Sequence, residues 1–328
     1  MTATPSIPKD SAPSASILEY RPAQQRVIDL LGRHGDDGPD LGPELALALQ
    51  AELDERLADV VDLIPDGEDL WVGKTPLAAF NACQGRWKAQ LDAPFAWSVP
   101  AARGTVSHKA IELTANWRGE VEPGRAVDAA ISHLIDDEFQ SIGRFLRTLS
   151  TVDLAELRRA AVELVTAFEE CFPPLRSRWR PVIDGRSRAE LCGGRIVLSG
   201  RPDLTLGQAM RGGTVIIDLK TGSPHQHHVD DLRFYALVDT LRIGLPPRRL
   251  ATVYLDSGLP VAEAVTEGVL EAATERVVRT VTAMIETRWG TAPTLLRPAP
   301  HCAWCPAGDT CATGLEWTAS VELDGFGS

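Results

Sequence analysis

Two carboxylates and a lysine are the first residues with a chemistry to offer. Asp203 closes the run Gly200-Arg-Pro-Asp203, and Asp218 follows the apolar run Val215-Ile-Ile217, with Lys220 two positions further on. Hydrolysis of a phosphodiester needs positive charge for a dianionic transition state and help for water to become hydroxide at neutral pH. One or two Mg²⁺ or Mn²⁺ ions supply both, and such hard cations take carboxylate and carbonyl oxygens. Asp203 and Asp218 on adjacent strands can converge on one ion, and the peptide carbonyl of Leu219 offers a further oxygen. Side chains alternate along a strand, so Lys220 shares a face with Asp218. An ammonium there can orient the attacking water or stabilise developing charge. On spacing alone Asp-X-Lys is weak evidence, because such tripeptides commonly form surface ion pairs.

Cysteines form the second constellation. Cys302, Cys305 and Cys311 are tightly spaced near the C-terminus, and Cys83 lies far upstream in Phe80-Asn-Ala-Cys-Gln-Gly-Arg-Trp87. The C-x2-C pair and a third cysteine after five residues fold a loop around one metal centre. A fourth ligand from Cys83 would tie an N-terminal helix to the C-terminal segment. Thiolates suit both Zn²⁺ and iron–sulfur clusters, and the spacing does not separate the two. Cys171 and Cys192 stand apart and read as ordinary buried thiols.

The net charge of −12 is unusual for a protein that would handle nucleic acid, but it is unevenly placed. Residues 36–70, from Asp36, Asp37 and Asp40 to Asp69, hold twelve acids against the single base Arg56, so the rest of the chain is close to neutral. Residues 176–201 hold seven arginines against Asp184 and Glu190. That segment reads either as a phosphate-tracking surface or as a solvated arginine-rich stretch. Gly73-Lys74-Thr75 resembles the end of a phosphate-binding loop, but Glu68 stands where the first glycine would have to be, and the match fails.

These groups need elements to position them. Periodicity predicts an acidic amphipathic helix from Pro43 to about Leu63, a helix over 76–90 carrying Cys83, a helix from Gly104 through His108, and helical structure over 126–170, closed by Pro173-Pro174. Ala189–Leu198 and Ser199–Leu206 read as a strand pair turning at Gly193-Gly194, and Val215–Ile217 as a central strand. Asp230–Ile243 returns to helix, Leu250–Leu255 reads as a strand, and Glu263–Trp289 as a long helix. The expected fold class is α/β, a mixed sheet flanked by helices. No apolar run is long enough to span a bilayer, and the first residues lack the pattern of a secretory signal, so a soluble cytoplasmic protein is expected.

Taken in order, Gly104-Thr-Val-Ser-His108, Gly200-Arg-Pro-Asp203, Ile217-Asp-Leu-Lys-Thr-Gly222 and Asp231-Leu-Arg-Phe-Tyr235-Ala-Leu resemble the PD-(D/E)XK superfamily, and within it the RecB-like exonucleases. The cysteines resemble those of its iron-stapled members, among them the AddB nuclease domain and the CRISPR-associated RecB-like exonucleases. The resemblance implies a restriction-endonuclease-like core over 75–315, with its ends joined by a four-cysteine metal cluster. An acidic helical region over 18–74 would precede it, and tails over 1–17 and 316–328 would flank the chain. It implies His108, Asp203 and Asp218 as metal ligands with the Leu219 carbonyl, Lys220 as catalytic lysine and Tyr235 as a site-ordering residue. It implies a [4Fe–4S] cluster on Cys83, Cys302, Cys305 and Cys311, with zinc as the alternative.

The activity so implied is Mg²⁺- or Mn²⁺-dependent hydrolysis of DNA at single-stranded ends or flaps, in repair, recombination or mobile-element settings. With no helicase phosphate loop in the chain, unwinding would fall to a helicase or recombination partner. One departure matters: the family's glutamine is Asp231 here, and a carboxylate cannot donate an amide hydrogen bond. Two alternatives therefore stand beside the nuclease: a weakened nucleic-acid-binding subunit of a larger complex, and a zinc-stapled scaffold.

Overall fold

A computed structural model describes residues 20–32, 41–93, 96–115, 122–137, 140–209 and 213–325. The expected tail over 1–17 and the acids Asp36, Asp37 and Asp40 lie outside the described residues. The helices are α1 (Pro22–Leu31), α2 (Pro43–Val61), α3 (Lys74–Ala82), α4 (Gln84–Asp92), α5 (Val99–Thr114), α6 (Pro123–Asp136), α7 (Ser141–Thr148), α8 (Thr151–Cys171), α9 (Gln226–Ile243), α10 (Glu267–Arg288) and α11 (Ala312–Gly325). The strands are β1 (Leu70–Val72), β2 (Val182–Ile183), β3 (Ser187–Leu191), β4 (Ile196–Gly200), β5 (Leu204–Gln208), β6 (Gly213–Lys220), β7 (Arg249–Tyr254) and β8 (Leu259–Ala264).

Five strands form one sheet in the order β2-β5-β6-β7-β8, and three form a smaller one in the order β1-β4-β3. β6 and β7 run parallel, joined through α9, while β5 and β8 pair antiparallel to their neighbours. β6 holds the centre because its residues are apolar on both faces. Ile216 packs into a core made with α2, α3, α9 and α10, whereas Val215, Ile217 and Leu219 pack into a second core with α5, α6 and α8. That alternation turns Asp218 and Lys220 to the α9 side of the sheet. Sequence-local signals fix the helix starts: Ser98, Ser150 and Thr266 accept from the amides of Ala101, Asp153 and Val269.

Several boundaries depart from the sequence expectation for local reasons. The helix over 76–90 is two helices, because Cys83 adopts an extended backbone and joins α3 to α4. The helical stretch over 126–170 is α6, α7 and α8, and α5 begins at Val99 rather than Gly104. The strand pair does turn near Gly193-Gly194, but it pairs β3 with β4, and the chain then leaves that sheet at Arg201-Pro202 to start β5 in the other. Pro202 has no amide to donate to a ladder, which suits a break there. The stretch before Glu267 is strand β8, and the short strands β1 and β2 are not expected from the sequence. No helix among the described residues is long and apolar enough to cross a membrane.

Candidate active site

The site lies where the two sheets meet α3, α5 and α9. Asp218 is completely buried on β6, and two lysines reach it: Lys220 Nζ stands 2.7 Å from Oδ2 and Lys74 Nζ 3.2 Å from Oδ1. Lys74 is the first residue of α3 and sits over the Tyr235 ring, 5.1 Å from its centroid. Burial alone would raise the Asp218 carboxyl, but the two ammonium groups outweigh it and hold it below its ordinary range. Burial likewise opposes the charge on Lys74, and Asp218, Tyr235 and Asp203 together hold that ammonium above its usual value. Asp218 Oδ2 nonetheless has no aligned hydrogen-bond donor among the described residues, despite the closeness of Lys220.

Asp203 stands just before β5, and the register Leu204 to Ile217 brings it opposite Asp218. Its Oδ2 accepts from the Leu219 amide at 2.7 Å. Burial, with Asp218 adding to it, pushes its carboxyl up to about 6. From α5, His108 Nδ1 comes within 3.4 Å of both Asp203 Oδ1 and Asp184 Oδ1. Burial disfavours the imidazolium, but Asp203 and Asp184 prevail and raise His108 above its ordinary value. His108, Asp184 and Asp203 each offer a ligand atom within 4.8 Å of the others.

The geometry brings His108, Asp203, Asp218, Lys220 and Tyr235 to one place. Tyr235 Oη donates to the Arg201 carbonyl at 3.1 Å, and burial pushes its phenol up to about 12. A Cβ at Gly200 would lie 2.9 Å from the Tyr235 ring, so glycine is needed there for the ring to seat. For Leu219 it is the amide that is engaged, through Asp203. Asp231, one turn before Tyr235 on α9, stands 4.0 Å from Lys220 Nζ, and burial raises its carboxyl.

Two members escape a reading of the sequence. Lys74 belongs to the Gly-Lys-Thr triplet that fails as a phosphate loop; only the fold brings it to Asp218. Asp184 reads merely as an acid among arginines. It holds a left-handed backbone with φ of 53°, uncommon for a residue other than glycine, and its side chain is bound by Arg201 at 3.0 Å. Burial would raise its carboxyl, but His108, Arg201 and Lys109 hold it below the ordinary range. The histidines after the lysine motif divide: His228 turns inward to the Tyr254 hydroxyl at 3.0 Å, while His225 and His227 are exposed.

The cysteines meet at the opposite end of α3. Cys83 joins α3 to α4, Cys302 lies in the short 3₁₀ turn Pro300–Trp304, Cys305 follows it, and Cys311 immediately precedes α11. All four line one cavity of about 250 Å³. A Cβ at Gly314 would lie 3.6 Å from the sulfurs of both Cys302 and Cys311. The two chain segments are also tied directly, by Gln84 to Leu295 in both directions and by Arg297 to the Asn81 carbonyl.

Residues 74–312 match the family model described as the PD-(D/E)XK nuclease superfamily. No curated protein matches the chain. Among solved structures, a candidate exonuclease from Eubacterium rectale is 11% identical, with a TM-score of 0.43, covering 81% of this chain and 94% of its own. SSO0001 is 15% identical, with a TM-score of 0.36, covering 82% and 95%. Likeness at that level adds nothing to the family match.

Proposed function

The chain belongs to the PD-(D/E)XK nuclease superfamily, and on that premise we propose that it is a metal-dependent deoxyribonuclease of the RecB-like type. It trims single-stranded DNA ends or flaps by hydrolysing phosphodiester bonds, in repair, recombination or mobile-element settings. One observation carries this reading: the ligand-bearing trio His108, Asp184 and Asp203 lies against a buried Asp218 flanked by Lys74 and Lys220.

The residues present fit a hard divalent cation. The donors are mainly carboxylate oxygens, and the ligand atoms of His108, Asp184 and Asp203 lie within 4.8 Å of one another. Asp203, Asp218, His108 and Asp184 would hold Mg²⁺ or Mn²⁺, with the Leu219 carbonyl as a further oxygen. When bound, the ion supplies positive charge and a more acidic water. The chain's own groups do the rest. Lys220 and Lys74 keep Asp218 ionised and place two ammonium groups where charge accumulates on the phosphate. Tyr235 supports Lys74 from beneath and is itself fixed by the Arg201 carbonyl.

The cysteine cavity is read as the site of a [4Fe–4S] staple on Cys83, Cys302, Cys305 and Cys311, with zinc as the alternative. Four cysteines lining one cavity, with Gly314 leaving room beside two of the sulfurs, support a shared metal centre, and the preference for a cluster over a single ion rests on the family resemblance. The staple is structural, since hydrolysis moves no electron.

A second reading rests on Asp231. Standing 4.0 Å from Lys220 where the family has glutamine, it competes with Asp218 for that ammonium and favours a weakened, DNA-binding subunit. One assay separates the two. Wild-type protein with Mn²⁺ is expected to shorten an end-labelled single strand, and Asp218→Ala to abolish the products. If both proteins bind the strand and neither cuts it, the binding subunit is the right description.

A further inference from the structure

Trp71 is half exposed on β1, between Leu70 and Val72, which are fully buried. Its indole Nε1 donates to Asp69 Oδ2 at 3.0 Å, which fixes the ring, and the Arg188 guanidinium stands 5.0 Å from the ring centroid. Arg188 and Arg186 are both exposed and two residues apart at β3, so they share a face. Trp71, Arg186 and Arg188 line the same groove, of about 1010 Å³, that runs past Lys74 to His108, Asp184 and Asp203. An aromatic ring hydrogen-bonded on a strand, with Arg188, itself paired with Glu190, beside it and an open groove leading to carboxylates, is more than a cover for the sheet beneath.

We propose that Trp71 and Arg188 form a stacking subsite for one unpaired base of a single DNA strand, with Arg186 on the adjacent phosphate. The proposal rests on the hydrolase reading above and deepens it. The base faces of a duplex are hidden in its own stack, so an indole on a groove wall reaches one only when the base is unpaired. Arginine adds a second plane on which a base can lie and a charge that follows the backbone. Trp71 is three residues from Lys74, so the stacked nucleotide sits close to the reacting phosphate. The subsite thereby selects unpaired ends rather than a base sequence, because every base has a face to stack.

The test is binding of a fluorescein-labelled oligo-dT strand and of a blunt duplex of equal length, followed by polarisation without added divalent cation. Trp71→Phe, which keeps a ring, is expected to bind the strand within about twofold of wild type. Trp71→Leu, which keeps an apolar side chain on β1, is expected to lose about tenfold or more. Duplex binding should change far less than strand binding. Equal strand binding by the Leu and Phe variants, or equal losses for strand and duplex, would overturn the subsite. Melting curves on each variant separate lost binding from lost folding. Cleavage is scored independently: a wild type that cuts while Trp71→Leu binds as wild type removes the subsite and leaves the hydrolase. Selective loss in a protein that never cuts does the reverse.

Discussion

Lys74 and Asp218 stand 144 positions apart in the chain and 3.2 Å apart in the fold. With Lys220 on its other oxygen, Asp218 is a fully buried carboxylate neutralised from two sides. Removing either lysine therefore leaves a buried charge half compensated. Lys74→Met is expected to cost about 1–3 kcal/mol of stability and to lower cleavage at least about tenfold, the scale of one lost electrostatic contact to developing charge. Denaturant melts and single-turnover cleavage measure the two effects. A Lys74→Met protein that cuts at the wild-type rate would show that the ion pair is architectural only.

The same buried cluster sets a pH dependence. Asp203 is raised to about 6, so the folded chain holds its proton more tightly than the unfolded chain does. This group favours the fold at low pH and increasingly opposes it as pH climbs from about 4 to 6. His108 is also raised; its contribution is full below the unfolded value near ~6.5 and is lost as pH rises through the folded one. Asp218 and Asp184 are depressed and run the other way, but their change falls below about pH 4. Above that point the cation-free protein should soften as pH rises to 8. A bound cation reverses this, since it favours ionised Asp203 and neutral His108. The melting temperature should accordingly gain more from Mn²⁺ at pH 8 than at pH 6. An equal gain at both would remove His108 and Asp203 from the ligand set.

Asp184 gives a sharper test of that set, since nothing in the sequence motifs points to it. Asp184→Asn keeps the shape and the left-handed backbone, which asparagine also tolerates. It is expected to weaken Mn²⁺ binding about 10–100-fold, whether it acts as a ligand or by orienting His108. Calorimetric titration reads the affinity directly, and an unchanged value would leave Asp184 as a structural partner of Arg201 and His108.

How far these features can be read from the chain follows from their physics. Asp203, Asp218 and Lys220 are legible because they sit on or beside one apolar strand, whose period fixes which face each occupies. His108 and Tyr235 are legible through their order along the chain. Lys74 is not, because its role depends on α3 meeting β6, a packing event with no local signature. Asp184 is hidden by its arginine neighbours, one of which holds it in place. Strands β1 and β2 are three and two residues long and lie at sheet edges, where alternation is too brief to register, and β8 is an edge strand that runs close to the start of α10. The break at Cys83 lies beside Gln84, whose hydrogen bonds reach residue 295, a partner that no window around residue 83 contains.

That break leads to the last prediction. Cys83 ends the helix that begins with Lys74, so the cysteine cavity and the buried carboxylate lie at the two ends of α3. Among the described residues, Gln84 with Leu295 and Arg297 with Asn81 tie the two segments directly. A metal centre held by Cys83 and the three C-terminal cysteines would add the main restraint on this junction, and such centres contribute their binding energy to folding. Cys83→Ser is therefore expected to lower the melting temperature sharply and to increase proteolysis near both residue 83 and residue 302. Anaerobic purification should give a brown protein with about four irons per chain, as one cubane on four thiolates requires, and the variant should be bleached. A colourless protein with one zinc would exchange the cluster for a tetrahedral ion while leaving the junction argument intact. Unchanged melting and proteolysis in Cys83→Ser would refute the staple whatever the metal.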